Sequence, residues 1–338
     1  MTTPAREFTG TTNESPRREE QTAPAAAHAR PPNPWRRGPL VVALHGEEST
    51  SAPLSVVRRL SRRLDLPLRV VTVVEYEAVP LGRSTAGTVP SWVVRELGMP
   101  RREMMTQRLH EALGESGWTL DVRYGSPARE IAAAADEIDA TLIVVDASPH
   151  RRVRRSVAGV RALQVIRHGS CPVLSVAPGG DELPRRIVAS VDFSPASTRA
   201  VQTALLLAGD AATLSLAHVP FPFRLEHPLR DAGGGLIGGD VGAAFEQLLE
   251  SVRPHAPHDL TIETKELSGK IADAMLSHAE SMQADLLATG AHGPTAVERF
   301  FVGSVATNLL HLAECSVLAA PAPRARGTGT DDASRAAD

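Results

Sequence analysis

Lysine is nearly missing from this chain, aromatic residues are few, cysteine occurs twice, and no hydrophobic run is long. Each shortage excludes something. Cys171 and Cys315 are too few to staple 338 residues with disulfides or to furnish a four-thiolate zinc site, and both sit in apolar runs where buried thiols are expected. No stretch approaches the roughly 18 apolar residues that span a bilayer; VVAL and LIVV are strand-sized. A membrane protein is therefore not expected. The N-terminal region has no apolar segment of secretory type, and Arg36-Arg37 precede too short an uncharged run for a twin-arginine signal, so a cytoplasmic location is expected. Neither a Walker A loop nor a GxSxG elbow occurs, which removes the anchors of phosphoryl-transfer and hydrolase templates.

What is present is an ordinary globular composition, 42% hydrophobic and 22% charged, in a length that suggests two domains. Residues 39 to 178 carry 18 Arg against 15 acids, while 184 to 323 carry nine basic residues against 15 acids, so one half is +3 and the other −6. That imbalance can steer the halves toward each other or toward separate partners, and it is too small to suggest nucleic acid as a ligand.

An internal repeat organises the chain. A shift of 144 residues lays Ala140 on Ala284, Leu142 on Leu286, Arg155 on Arg299, Gly159 on Gly303, Cys171 on Cys315 and Val173-Leu174 on Val317-Leu318. At the front of each half the shift is 147, pairing PLVVALHG with RIVASVDF. Two copies of one domain follow. The expected boundaries are a disordered tail at 1–37, a first domain at 38–178, a linker at 179–185, a second domain at 186–323 and a second tail at 324–338.

Within the second copy, β-branched runs predict strands near 187–192, 213–219, 260–266, 285–289 and 316–320. Amphipathic stretches predict helices near 196–208, 242–254, 270–283 and 302–313, with Pro195 as a starter. Runs such as LIVVD and IVASVD are continuously apolar, as in parallel strands covered on both faces. The expected fold class is α/β, two tandem doubly wound Rossmann-like domains, each a five-stranded parallel sheet flanked by helices. Its ligand site belongs at the carboxyl ends of the strands, where their order reverses.

Two segments converge there. GAHGPTAVERFFVGSVA carries Gly290, Gly293, Gly303 and Ser304 from a strand end to a helix start, where backbone amides and a hydroxyl can meet phosphate. VDFSPAS places Asp192 at the end of the preceding strand, able to accept from a ribose or base edge.

These residues resemble a tandem member of the universal stress protein family. The likeness extends from about 39 to 322, and its most specific element is Gly-x2-Gly-x9-Gly-Ser/Thr, met by Gly290, Gly293, Gly303 and Ser304. His218-Val219 and ADLLATG match further family positions. The resemblance implies that Asp192 and Val219 hold adenosine, that Gly290, His292, Gly293, Gly303 and Ser304 hold ribose and phosphates, and that Ser194 and Val305 complete the set. The implied ligand is ATP, with magnesium left open as its companion. The family also implies pairing through the last strands, Pro172 to Ala177 against Ser316 to Ala320 within one chain; a homodimer is a separate expectation.

The first copy departs from this pattern. Asp146 stands for Gly290, Pro149 for Gly293, Val160 for Ser304 and His45 for Asp192, with only Gly159 kept. A carboxylate repels phosphate, proline removes an amide donor, and valine has no hydroxyl. One working site, in the second copy, is expected. Other motifs carry less: HRRVRR at 150–155 reads as a solvated face, GGGLIGGD at 233–240 as a flexible loop too late in the fold for a dinucleotide site, and His255 with His258 as loop residues between prolines. The functional readings are an ATP-binding regulatory module, a nucleotide-free scaffold, and a slow ATP hydrolase.

Overall fold

The computed structural model describes residues 38–44, 51–75, 91–147, 158–220, 229–230, 236–237, 240–291 and 302–323. In the first half the order is β1 (Leu40–Leu44), α1 (Ala52–Leu64), β2 (Leu68–Val74) and α2 (Ser91–Val93), which a π-helical turn (Val94–Gly98) continues into α3 (Met99–Leu113). It closes with β3 (Trp118–Tyr124), α4 (Pro127–Glu137), β4 (Leu142–Asp146), α5 (Ala158–His168) and β5 (Val173–Val176). The second half opens with β6 (Arg186–Ser190), α6 (Pro195–Leu207), β7 (Thr213–His218), and the two-residue strands β8 (Leu229–Arg230) and β9 (Leu236–Ile237). It continues with α7 (Val241–Val252), β10 (Thr261–Glu266), α8 (Ile271–Ser281), β11 (Leu286–Gly290), α9 (Ser304–Leu312) and β12 (Ser316–Ala320).

Ten of these strands form one sheet in the order β10-β7-β6-β11-β12-β5-β4-β1-β2-β3. Neighbours are parallel within each half. Only the junction is antiparallel, Val317 opposite Ser175, Leu318 opposite Leu174 and Ala319 opposite Val173. The last strands thus meet within one chain, as the resemblance implied.

Continuous apolar runs make such a sheet because both faces are covered. Leu40, Val42 and Leu44 enter one core with α1, α3, α6 and α7, while Val41 and Ala43 enter the other with α4 and α5. Both cores run across the junction: the first joins Leu174 to Leu318, and the second joins Ile166 to Leu310. The order reverses between β6 and β11 and, in the other copy, between β1 and β4. The predicted second-half elements fall within a few residues of those observed. One reading needs adjustment: within 233–240, Leu236–Ile237 pair antiparallel with Leu229–Arg230, two backbone pairs where a loop was expected.

Polar contacts reinforce the junction. Arg199 of α6 is 9% exposed and donates from its guanidinium to the carbonyls of Ser170 at 2.7 Å and Pro321 at 3.2 Å. Arg63 reaches the Ala208 carbonyl, and Arg59 reaches the Asp181 carbonyl at 3.1 Å and the Glu182 carboxylate. Cys171 is buried and donates to the Ala140 carbonyl, whereas Cys315 is only half-buried; burial pushes the Cys315 thiol up to about 11, so it is not a ready thiolate.

His278 of α8 lies 2.9 Å from the Ser215 hydroxyl, and desolvation, then Lys265, holds its pKa below the ordinary 6.5 although Glu263 opposes them. The unfolded chain therefore takes up this proton at a higher pH than the native one. Stability tied to His278 is present above about pH 6.5 and is lost as pH falls through the native value. The melting temperature of a His278→Gln variant is expected to fall less than the parent's between neutral pH and pH 5. Parallel pH–melting curves would contradict this.

Candidate functional site at the sheet switch point

The turn from β6 into α6 builds one wall. Ser194 caps α6, its hydroxyl accepting from the Ser197 amide at 3.2 Å, and Pro195 supplies the first helical φ. Asp192 folds back over the same turn, one carboxylate oxygen accepting from the Ser194 amide at 3.0 Å. Its second oxygen has no hydrogen-bond partner among the described residues. Between them Phe193 adopts φ 59°, a left-handed conformation that costs a bulky residue about 1 kcal/mol or more. Packing holds it there. Its ring lies 4.9 Å from that of His218 and 5.1 Å from Phe245, and buried His218 meets the Val191 carbonyl through Nδ1 at 2.6 Å. None of this aromatic trio's role was foreseen, although the phenylalanine before a Ser-Pro helix start was visible.

Gly290 ends β11. A Cβ there would sit 2.9 Å from the Ser197 amide nitrogen and 3.1 Å from the Ala196 Cβ, so the approach of α6 alone demands glycine. The second loop glycine position with a described backbone, Gly303, caps α9 at φ −58° and ψ 151°, and its amide donates to the Ala291 carbonyl at 2.9 Å. Ala291 in turn donates to the Ala320 carbonyl at 2.8 Å. These bonds close the base of the loop. The Gly303 amide is consumed, and among the described residues the donors left for an anion are those of the first turn of α9 with the exposed Ser304 hydroxyl.

Val219, at the end of β7, and Val305, in the first turn of α9, pack against the same apolar cluster around Val188 and Leu287. Because β7, β6 and β11 are adjacent, the structure gathers Asp192, Ser194, Val219, Gly290, Gly303, Ser304 and Val305 at one end of the sheet. His292 and Gly293 lie outside the described residues, as do His45, Pro149 and the arginine-rich run 150–155. An open cleft of about 970 Å³ starts at Val219 and runs past Glu266 and Gly269 to His278.

The first half presents a different surface at the equivalent place. Asp146, 5% exposed, ends β4 where Gly290 ends β11, and Arg161 of α5 takes the position of Val305. Together with Val73, Val145 and Ile131 they line a cavity of about 300 Å³.

The universal stress protein family model matches residues 37–177 and again 184–321. The chain belongs to the universal stress protein family. Universal stress protein A homolog 1 of Coxiella burnetii is 32% identical over 144 residues, 40% of this chain and 94% of the relative. A universal stress protein of Methanocaldococcus jannaschii is 29% identical over 153 residues, 44% of this chain and 89% of the relative. Each such relative corresponds to one universal stress protein domain, and this chain holds two. Among solved structures, a universal stress protein from Archaeoglobus fulgidus aligns with a TM-score of 0.56 at 16% identity, covering 83% of this chain and 96% of that one. One from Pseudomonas aeruginosa aligns with a TM-score of 0.52 at 15% identity, covering 85% and 94%. Both share the tandem fold. Among the described residues, no helix is long and apolar enough to cross a membrane.

Proposed function

We propose that the second universal stress protein domain binds an adenine nucleotide, ATP in the first instance, and that occupancy alters what the protein contacts in a stress response. The observation that carries this is the grouping, at the β6–β11 switch point, of Asp192 with the Gly303-Ser304 start of α9. Asp192 has one carboxylate oxygen with no partner among the described residues, and it is proposed to accept from a ribose or base edge. Val219 and Val305 offer apolar faces to a purine, and the first turn of α9 with Ser304 offers donors and positive dipole to phosphates. The close approach of α6 requires glycine at 290 without any ligand. His292 and Gly293 are proposed as phosphate contacts on their sequence positions alone.

The first domain is proposed to be silent toward ATP. Asp146 places a carboxylate where phosphates would pass, and Arg161 replaces a valine against which a base would lie. Among the described residues, no three His, Cys, Asp or Glu side chains are grouped to hold a metal, so magnesium would enter with the phosphates.

Occupancy has a physical route to the first domain. Ala291 and Val302, at the two ends of the loop, pack into the core shared with α5, and α9 itself packs on α5. A scaffold reading draws on the same sheet junction and is decided by one measurement. Denaturing the purified protein and identifying released nucleotide by mass spectrometry, then titrating ATP into nucleotide-free protein, is expected to give about one nucleotide per chain. No release and no binding would leave the scaffold.

A further inference from the structure

The pseudo-two-fold relating the domains passes between Leu174 and Leu318, which face each other across the junction. It lays α1 on α6 at a shift of 143, Ala52 on Pro195 and Leu64 on Leu207, so Val56 occupies the place of Arg199. In one copy the long Arg199 side chain fills the space between helix and junction and ties off two carbonyls. Valine cannot reach as far. At Val56 the same space is a cavity of about 580 Å³, walled by Leu174, Val176, Leu183, Leu207 and Leu286. That volume is within the range of about 300 to 1,000 Å³ typical of small-molecule sites, and a boundary between domains is a common place for one.

The mouth is charged, and most of its charge is committed. Asp285 receives the Arg186 guanidinium at 2.8 Å and the amides of Arg185 and Arg186 at 3.0 and 2.9 Å. Burial alone would raise its pKa, but these donors outweigh that and hold it below the ordinary range. Glu182 is taken by Arg59. Arg185 is also among the residues lining the cavity; it is exposed, and its guanidinium makes no hydrogen bond or ion pair among the described residues.

We propose that this cleft binds a small amphiphilic carboxylate, its head on the Arg185 guanidinium and its hydrocarbon chain in the space that the Arg199 stem fills in the other copy. A monoanion matches one uncommitted guanidinium, whereas a phosphate dianion would also face Asp285 and Glu182. The site is separate from the strand-end site and does not depend on the nucleotide reading.

Isothermal titration calorimetry on the full chain, with decanoate, decylamine and acetate as probes and ATP as a control, tests this. Saturable decanoate binding at one per chain is expected, with acetate and decylamine at least tenfold weaker. Arg185→Gln should weaken decanoate at least tenfold. Val56→Arg, which installs the side chain that fills the equivalent space, should abolish it; Val56→Phe, an apolar filler, serves the same end if the arginine lowers the melting temperature. Neither change should alter ATP affinity. Absence of saturable decanoate binding, equal affinity for decylamine, or decanoate affinity untouched by filling at Val56 would overturn the proposal.

Discussion

Gly303→Glu is expected to weaken ATP binding at least 100-fold, about 2.7 kcal/mol, while the protein melts close to the parent. Gly303 has φ −58° and ψ 151°, extended backbone open to any residue, and its amide bond to Ala291 survives the change. A carboxylate at the cap of α9 is favourable to the helix, whose N-terminal dipole it complements, so folding has no reason to suffer. It nevertheless sets a fixed negative charge beside Ser304, where the proposed phosphates lie. Calorimetric titration of ATP alongside a thermal melt separates the two effects. Unchanged affinity in a folded variant would remove the site from the start of α9.

Arg199→Met is expected to cost about 3 kcal/mol of stability, read as a lower denaturant midpoint with the slope preserved. Methionine keeps much of the stem's packing, so the loss reports the guanidinium. That group is nearly buried and donates to the Ser170 and Pro321 carbonyls, one in each domain. Stripping a charged donor from one half-buried acceptor and one buried acceptor leaves both to find water or go without. A neutral Arg199→Met would mean that water enters and replaces those donors.

The strands were legible because their chemistry is blunt: LIVVD and RIVAS are apolar without alternation, and only a sheet covered on both faces accepts that. The repeat then carried the reading from one half to the other. At the switch point, the sequence indicated which residues gather but not why each is there. Gly290 looked like a phosphate glycine, yet the 2.9 Å approach to Ser197 depends on how closely α6 docks, which no single segment reveals. Arg199 was invisible for the same reason. Its partners, Ser170 and Pro321, are 29 and 122 residues away, and nothing in TRAVQ distinguishes a buried guanidinium from a solvated one. The short β8–β9 pair was missed because two backbone pairs leave almost no pattern beside five glycines.

The antiparallel meeting of β5 and β12 inside one chain also changes the order of the pairing reaction. Two separate domains would associate in proportion to their concentration, and dilution would part them. Tethered by the short stretch between Val176 and Arg186, they associate as a first-order event at an effective concentration set by the tether, so the pair persists at any dilution. Identity of the two partners is then no longer required. A free homodimer must carry every substitution twice, but here Asp146 can displace a glycine on one side, and Val56 can open a cleft opposite Arg199, without the change being mirrored across the axis. Fusion into one polypeptide is what permits the two copies to differ.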